Sequence, residues 1–116
     1  MPIKTEAING VLLKRGYSVM HETQKKRRFQ KNSGISVYLN LATISGKTAL
    51  ILHPQTKSIA AIRRIPDLTI GGNYYHASNL TSFPKRRHKG ESDIGYGWGV
   101  TLDSEVALNA LLTAIE

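Results

Sequence analysis

The sequence predicts a small single α+β domain over residues 1–116, with a mainly antiparallel sheet packed against an N-terminal and a C-terminal helix. The chain has 116 residues, which suits one domain, because domains typically run to about 100–150 residues. Apolar residues recur with helical spacing near both ends of the chain, whereas alternating or continuous apolar runs, typical of strands, lie between them. Hydrophobic residues make up 41% of the chain, which is enough to form a core.

The N-terminal helix is predicted over residues 5–15, where Ile8, Val11 and Leu12 supply the apolar stripe. We expect Thr5 to cap the open amides at its start and Gly16 to end it with a left-handed residue. Tyr17–Met20 then alternates polar and apolar residues, which predicts a half-buried strand.

The middle of the chain predicts strands and turns. Lys25–Lys31 carries too much charge for a strand interior and is predicted to be a hairpin loop or a solvated strand end, closed by Asn32–Gly34. Ile35–Leu41 alternates regularly and predicts a half-buried strand. After a turn at Ser45–Lys47, the continuously apolar Thr48–Leu52 predicts a central strand covered on both faces.

Signals for helix and strand weaken from Gln55 to Glu91, where turn-forming residues are frequent. Ser58–Ile62 fits either a short helical turn or an edge strand. Gly95–Leu102 predicts a glycine-rich loop that enters a short strand. A broad apolar stripe then predicts a C-terminal helix lying across the sheet, capped by Asp103 or Ser104.

Motifs along nearly the whole chain resemble those of the enterobacterial YgaC-like proteins, which are grouped as a domain of unknown function. The most specific motif is TALILHP at residues 48–54. The others are Val11-Leu12-x-Lys14-x-Gly16-Tyr17-x-Val19, Thr23-Gln24-Lys25, Val37-Tyr38-Leu39-Asn40, Tyr75, Phe83-Pro84, Gly90-Glu91, Tyr96-Gly97 and Ser104-x-x-Ala107-Leu108. This resemblance implies a single α+β domain in a bacterial cytoplasm, and it implies no catalytic residues.

Composition excludes several classes of protein. The chain holds no cysteine, which excludes a disulfide framework, a thiol nucleophile and Cys-based zinc or iron–sulfur sites. No apolar run approaches the ~20 residues of a membrane-spanning helix, and the N-terminus lacks a signal-peptide core. We therefore expect a cytoplasmic protein with no membrane contact, no cofactor and no metal.

The charge balance favours a polyanionic partner. Sixteen Lys and Arg against eight Asp and Glu give a formal net charge of +8. More than half of these cations lie in two clusters that contain no acid, and a polyanion would relieve their repulsion by releasing its counterions. The first basic cluster comprises Lys25, Lys26, Arg27, Arg28 and Lys31, and the second basic cluster comprises Lys85, Arg86, Arg87 and Lys89.

These clusters predict a non-catalytic protein that binds nucleic acid by contacting backbone phosphates, without specifying a sequence. Double-stranded DNA is slightly favoured over RNA, because aromatic residues make up only 7% of the chain. The prediction requires both clusters to open onto one face. The alternative is a regulatory or protein-interaction domain for an acidic protein partner, and a homodimer would double the charged surface.

Aromatic side chains near the clusters could add base stacking. Phe29 is expected to be exposed because cations surround it, and Tyr74 and Tyr75 are the other candidates. Phe83 and Trp98 are expected to fold inward as part of the core.

Catalysis has weaker support in the sequence. Ser45–Thr48 resembles the end of a phosphate-binding loop, but such a loop needs a glycine at position 41 and must open onto a helix. The acids are too few and too dispersed for a nuclease metal site. A small metal-independent ribonuclease or toxin-like enzyme is the third hypothesis, with His76 and His88 as acid and base. His53 is expected to be a structural residue bonded to the backbone.

Overall fold

The computed structural model describes residues 2–42, 48–77, 79–88 and 92–116, except for the side chains of residues 57, 73, 86–88, 92 and 93. Over these residues, two α-helices and seven strands form an α+β fold, as predicted. None of the described helices is long and apolar enough to cross a membrane. The elements in chain order are α1 (Thr5–Lys14), β1 (Ser18–Glu22), β2 (Lys26–Gln30), β3 (Ser36–Asn40), β4 (Leu50–Leu52), β5 (Leu68–His76), β6 (Lys85–His88), β7 (Ser92–Leu102) and α2 (Glu105–Ile115).

The strands form an antiparallel sheet in the order β1-β2-β3-β4-β7-β5, and β6 pairs with the first residues of β7. Both helices pack on one face of the sheet, called the inner face here, and form the main core around Leu50 and Trp98. The opposite, outer face carries Tyr38 and Ile51, which belong to a smaller buried cluster. Strand β4 is therefore covered on both faces, as predicted.

The two helices lie where their apolar stripes predict them. Gly16 follows α1 with a φ of +93°, the left-handed conformation expected at a helix end. The hydroxyl of Ser104 accepts a hydrogen bond from the amide of Ala107 at 3.0 Å, which confirms one of the two predicted caps of α2. The predicted cap at Thr5 is wrong, because Thr5 is the first residue of α1 and Lys4 occupies the cap position without a side-chain cap bond.

Lys26, Arg27 and Arg28 of the first basic cluster lie in strand β2, so the predicted loop or solvated strand end is wrong. This strand pairs with β1 on one side and β3 on the other. Phe29 is 0% exposed and anchors the strand in the main core. A strand sends alternate side chains to opposite faces, so one buried aromatic residue is enough to hold a segment whose other side chains are charged.

Of the other predicted segments, some are confirmed and others differ from the structure. Strand β1 exists, but all five of its residues are exposed rather than half-buried. Ser58–Ile62 falls within two 3-10 helices, Pro54–Ser58 and Ala60–Arg64, which confirms its helical alternative. Strands β5 and β6 lie in the stretch where no strand was predicted. The predicted turn at Ser45–Lys47 lies outside the described residues.

The chain crosses the outer face of the sheet between β5 and β6. The amide of Tyr96 donates to the carbonyl of Pro84, whereas the carbonyl of Gly95 accepts from the amide of Ala77, each at 3.0 Å. Strands β6 and β5 therefore lie on opposite edges of β7, because successive strand residues direct their backbone groups to opposite sides. Residues 77 and 79–84, called the crossover here, lie between the two strands in the chain and pass over β7.

Glycines in β7 make room for the crossover. A Cβ atom on Gly95 would collide with the carbonyl of Leu80. On Gly97 it would come within 2.9 Å of Ile51 and 3.1 Å of Phe83. The predicted glycine-rich loop at this position is wrong, since these residues belong to an 11-residue strand. Glycine in a strand also marks a close approach of another segment, which composition alone does not distinguish from a loop.

Candidate nucleic-acid interface

Strand β2 divides the first basic cluster between the two faces of the sheet. Lys26 pairs in register with Asn40, and Arg28 pairs with Tyr38, which lies on the outer face. Lys26 and Arg28 are thus outer-face residues, because side chains two apart on a strand share a face. Arg27 lies between them and belongs to the inner face. The cluster is not one surface.

Three cations on the helical side of the sheet, Arg15, Arg27 and Lys31, hold elements together. The guanidinium of Arg27 donates to Glu22 in β1 and, at 2.7 Å, to the side-chain oxygen of Asn9 in α1. Lys31 lies 3.1 Å from a carboxylate oxygen of Glu116, which Arg15 also contacts at 3.0 Å. These cations already have partners, so they add little to a phosphate-binding surface.

Glu116 is held in its charged form by these contacts. Partial burial would raise the pKa of this carboxyl, but hydrogen bonds from Arg15, Lys31 and Tyr17 hold it below its usual value. The opposite effect acts on Tyr17, where burial and the neighbouring Glu116 carboxylate raise the pKa of the hydroxyl. The Tyr17 hydroxyl therefore stays protonated and donates to Glu116 at 3.1 Å.

Lys26 is buried on the outer face, which the sequence did not indicate. Only 3% of this residue is exposed, and its ammonium lies 3.4 Å from the side-chain oxygen of Asn40. The same ammonium lies 5.1 Å from the centre of the Tyr75 ring, within cation–π range. A phosphate cannot reach Lys26 in this conformation, so the surface role predicted for it is wrong.

Arg28 is half-buried beside Lys26. Its Nε atom is buried and has no hydrogen-bond partner within the part of the chain that the structure describes. Lys25 lies one residue before β2, in a turn where the hydroxyl of Thr23 accepts from its amide at 3.3 Å, and its side chain is exposed. Between residues 2 and 42, Lys25 and Arg28 are thus the members of the first basic cluster left for an external anion.

Three members of the second basic cluster, Lys85, Arg86 and Arg87, lie in β6. Lys85 is exposed and pairs with Gly95, whose position faces the crossover, so Lys85 belongs to the outer face. Arg86 and Arg87 take the next two positions of the strand, and Arg87 lies opposite Asp93 in the register. Lys89 lies outside the described residues.

The two clusters contribute to one face, but at its two ends. Strands β4 and β6 both pair with the same edge of β7. Lys26 and Arg28 are on β2, which is two strands away from β4. Lys85 is level with Gly95, near the start of β7, whereas Lys26 is level with the far end of that strand, so roughly 20 Å separate them along the strands. The crossover lies between these two ends. Within the described residues, no carboxylate pairs with Lys25, Arg28 or Lys85.

The aromatic candidates do not form a stacking platform. Phe29 is fully buried, so its expected exposure is wrong; it points to the inner face while the cations of β2 are distributed around it. Tyr74 packs edge-to-face with Tyr96 at 5.3 Å between ring centres. Tyr75 is half-buried on the outer face above Lys26. Phe83 and Trp98 are buried, as predicted.

The histidines have structural surroundings where the structure describes them. Nδ1 of His53 accepts from the amide of Gln55 at 3.1 Å and caps the first 3-10 helix, which confirms the predicted backbone bond. Burial lowers the pKa of His53, so its ring is neutral at pH 7. His76 stacks on Tyr96 at 5.9 Å. The described residues contain no group of three His, Asp or Glu side chains that could hold a metal ion.

A cavity of about 350 Å³ lies where β4 ends, and sequence reasoning missed it. Its lining combines apolar side chains with His53, Ser36 and Ser82, which are far apart in the chain. One local signal marked the place: Pro54 stops the apolar strand immediately after Leu52 and His53. The rest of the lining depends on the crossover, which no local pattern predicts.

Comparison with known protein families gives a match over nearly the whole chain. The family model DUF2002, described as a protein of unknown function, matches residues 1–115. No curated protein matches the chain.

Proposed function

We propose that this chain, which belongs to the DUF2002 family, is a non-catalytic protein that binds nucleic acid, with double-stranded DNA favoured over RNA. The observation that carries the proposal is that Lys25, Arg28 and Lys85 of the two basic clusters have no carboxylate partner within the described residues, whereas Arg27 and Lys31 do. Arg15, Arg27 and Lys31, on the helical side, are paired with carboxylates. The exposed cations of the outer face and its rim have no such pairing within the described residues.

Lys25, Arg28 and Lys85 are the contacts that the described side chains support, and Arg86, Arg87 and Lys89 stay predicted contacts of the second basic cluster. A phosphate backbone would relieve the repulsion within a +8 protein by releasing counterions. If four to six phosphates are contacted, the slope of log K against log salt is about −4 to −5. Duplex DNA fits better than single strands, because base stacking needs exposed aromatic rings and Phe29 is buried.

A pair of matched charge reversals tests the proposal. The first variant combines Lys25→Glu and Lys85→Glu, both at exposed residues. The second combines Arg63→Glu and Arg64→Glu, exposed in the second 3-10 helix, which packs on the inner-face core through Ile62. Both variants change the net charge equally. Gel shifts of one 20-base-pair duplex at two salt concentrations compare their affinities.

We expect the Lys25/Lys85 variant to bind roughly tenfold more weakly and to lower the salt slope by about two, because two phosphate contacts are lost. The Arg63/Arg64 variant should lose much less of its affinity for the duplex. Equal losses in the two variants would contradict an outer-face interface. Failure of the unmodified protein to retain DNA or RNA in dilute buffer would contradict nucleic-acid binding itself and would leave an acidic protein as the partner.

The resemblance to YgaC-like proteins supports a proposal about where in the cell the protein acts. We propose that the chain is a bacterial cytoplasmic protein, as that resemblance implies. Fractionation of a bacterial cell that produces the protein tests this placement, and recovery in a membrane or extracellular fraction would contradict it.

A further inference from the structure

We propose that the cavity at the end of β4 binds the ring of a neutral planar heterocycle with an amide-like donor–acceptor edge, as nucleobases have. The cavity volume of about 350 Å³ falls in the range of small-molecule sites. The cavity is lined from β3, the first 3-10 helix, the crossover and the end of α2, so several elements fix its shape. This site does not depend on the charged surface of the proposed function.

The cavity lining excludes a charged ligand group. None of the twelve residues that line the cavity is Lys, Arg, Asp or Glu, although the chain carries a net charge of +8. A phosphate or carboxylate placed there would lose its hydration without gaining a counter-ion. The apolar lining includes Val37, Leu52 and Phe83, which suits the faces of a ring. A neutral, largely apolar ring system with polar edges therefore matches the lining.

A strand edge supplies the hydrogen-bonding groups for such a ring. The amide of Asn40 donates to the carbonyl of Ala49, the residue before β4, so alternate residues of β3, including Ser36, direct their backbone N–H and C=O toward β4. Strand β4 stops at Leu52, before it can pair with Ser36. A ring with an adjacent donor and acceptor can take the place of the missing strand partner.

The residue that would have continued the pairing is turned away. The carbonyl of His53 accepts from the amide of Thr56 at 3.0 Å and from Nε1 of Trp98 at 3.0 Å. It is thereby directed toward the 3-10 helix and β7, and not toward β3. The cavity thus begins where the ladder between β3 and β4 is interrupted, and Ser36 lines it.

His53 and Phe83 add an aromatic wall and one more donor. Their ring centres lie 5.5 Å apart in an edge-to-face arrangement. Because Nδ1 of His53 accepts from a backbone amide, the neutral ring carries its proton on Nε2. Burial lowers the pKa of His53, which keeps this tautomer neutral near pH 7. The lining therefore offers a donor to the ligand without offering a charge.

Trp98 provides a direct measurement of occupancy. It is the single tryptophan of the chain, so its indole N–H gives one signal in a proton–nitrogen NMR spectrum. That N–H donates to His53 and to the hydroxyl of Thr56, and both residues line the cavity. Adenosine, guanosine, cytidine and uridine are titrated separately. Ribose 5-phosphate serves as the control for the sugar and phosphate alone.

Two variants fill the cavity, and a third controls for them. Ser36→Leu and Ile59→Phe add bulk from opposite sides of the lining, from β3 and from the end of the first 3-10 helix. Ser18→Leu makes the same change as the first variant, but on an exposed residue of β1 outside the cavity. Thermal unfolding confirms which variants remain folded.

We expect at least one nucleoside to shift the Trp98 signal saturably, and each filling variant to weaken that binding roughly tenfold. Ser18→Leu should leave it unchanged. No shift with any nucleoside, an equal shift in a folded filling variant, or the same shift with ribose 5-phosphate would overturn the inference. DNA retention that persists after such a result would leave the proposed function intact, so the two failures are distinguishable.

A second arm identifies the source of the ring. If the ring belongs to a nucleic acid, a duplex with one bulged base will bind more tightly than the perfect duplex, and Ser36→Leu will abolish the difference. If the ring belongs to a free nucleoside, the two duplexes will bind equally while the nucleoside titration stays positive. Equal binding of both duplexes together with a negative titration would contradict the site.

Discussion

Arg27 and Arg28 are neighbours in the sequence, and the sheet sends them to opposite faces. The guanidinium of Arg27 donates to Asn9 in α1 at 2.7 Å and also to Glu22. Arg28 lies opposite Tyr38 on the outer face, and its buried Nε has no partner within the described residues. Two residues of the same chemistry therefore have different roles, one joining a helix to the sheet and one facing the candidate interface.

Replacing each arginine separately distinguishes these roles. We expect Arg27→Ala to lower the free energy of unfolding by about 1 kcal/mol, because it removes the part-buried hydrogen bond to Asn9 in α1, with little effect on DNA affinity. Arg28→Ala should weaken DNA binding and reduce the salt slope by about one. Its effect on stability should stay within about 0.5 kcal/mol. Urea denaturation and gel shifts measure the two quantities, and the reverse pattern would contradict the assignment.

The close approach of the crossover makes two glycines of β7 irreplaceable. A Cβ on Gly95 would meet the Leu80 carbonyl, which cannot move without displacing the crossover. We expect Gly95→Ala and Gly97→Ala each to destabilise the protein by about 2 kcal/mol or more. Gly72→Ala is the control, because a Cβ there meets nothing within 4 Å. Thermal unfolding compares them, and equal effects at Gly72 and Gly95 would contradict the crossover packing.

The sequence predicted the elements whose signals are local. Apolar stripes predicted both helices, and the alternation of Ile35–Leu41 predicted β3. Strand β5 has two consecutive glycines at 71 and 72, which break the alternation that identifies a strand. Strand β2 was not predicted because three of its five residues are cations. Its single apolar residue, Phe29, anchors it in the core. In each case, the burial that makes the strand comes from residues far away in the chain.

The candidate interface was predictable only as a set of cations. Composition identified the two basic clusters, but which cations are already paired depends on contacts of long range. Glu116, which contacts Arg15 and Lys31, is separated from Arg15 by 101 positions. The burial of Lys26 likewise depends on Tyr75, which comes from the opposite edge strand of the sheet. No local pattern records either contact.

The contacts of Glu116 make stability depend on pH. Burial acts to raise the pKa of this carboxyl, but its hydrogen bonds hold the pKa below the usual 4.5. The folded protein thus binds this proton more weakly than the unfolded chain. The stabilisation is complete above about pH 4.5 and is lost as the pH falls through the folded-state pKa. Acid therefore weakens the link between the end of α2 and the segment that follows α1.

Replacing this carboxylate should remove that part of the pH dependence. We expect Glu116→Gln to lower the free energy of unfolding by about 1 kcal/mol at pH 7, and by clearly less at pH 3. Urea denaturation of both proteins at the two pH values measures the difference. Glu105→Gln is the control, because Glu105 is exposed and forms no ion pair within the described residues. If the two proteins differed in free energy of unfolding as much at pH 3 as at pH 7, the role of Glu116 would be contradicted.

Replacing Lys26 separates the effect of its buried charge on stability from any contact with a DNA phosphate. Only 3% of the residue is exposed, and the hydrogen bond from its ammonium to Asn40 is long, at 3.4 Å. Lys26→Met keeps the length of the side chain and removes a buried charge, which is often neutral or stabilising when the replacement packs well. We expect the free energy of unfolding to stay the same or rise by about 1 kcal/mol.

The same variant should leave the salt slope of DNA binding unchanged, because a buried ammonium contacts no phosphate. Lys25→Met is the matched control: it removes an equal charge from the adjacent, exposed residue and should reduce the slope by about one. Gel shifts over a series of salt concentrations give both slopes. An equal reduction in the two variants would mean that Lys26 leaves its place above Asn40 to meet the phosphate. The outer face would then rearrange on binding, since the ammonium would leave its contacts with Asn40 and the Tyr75 ring.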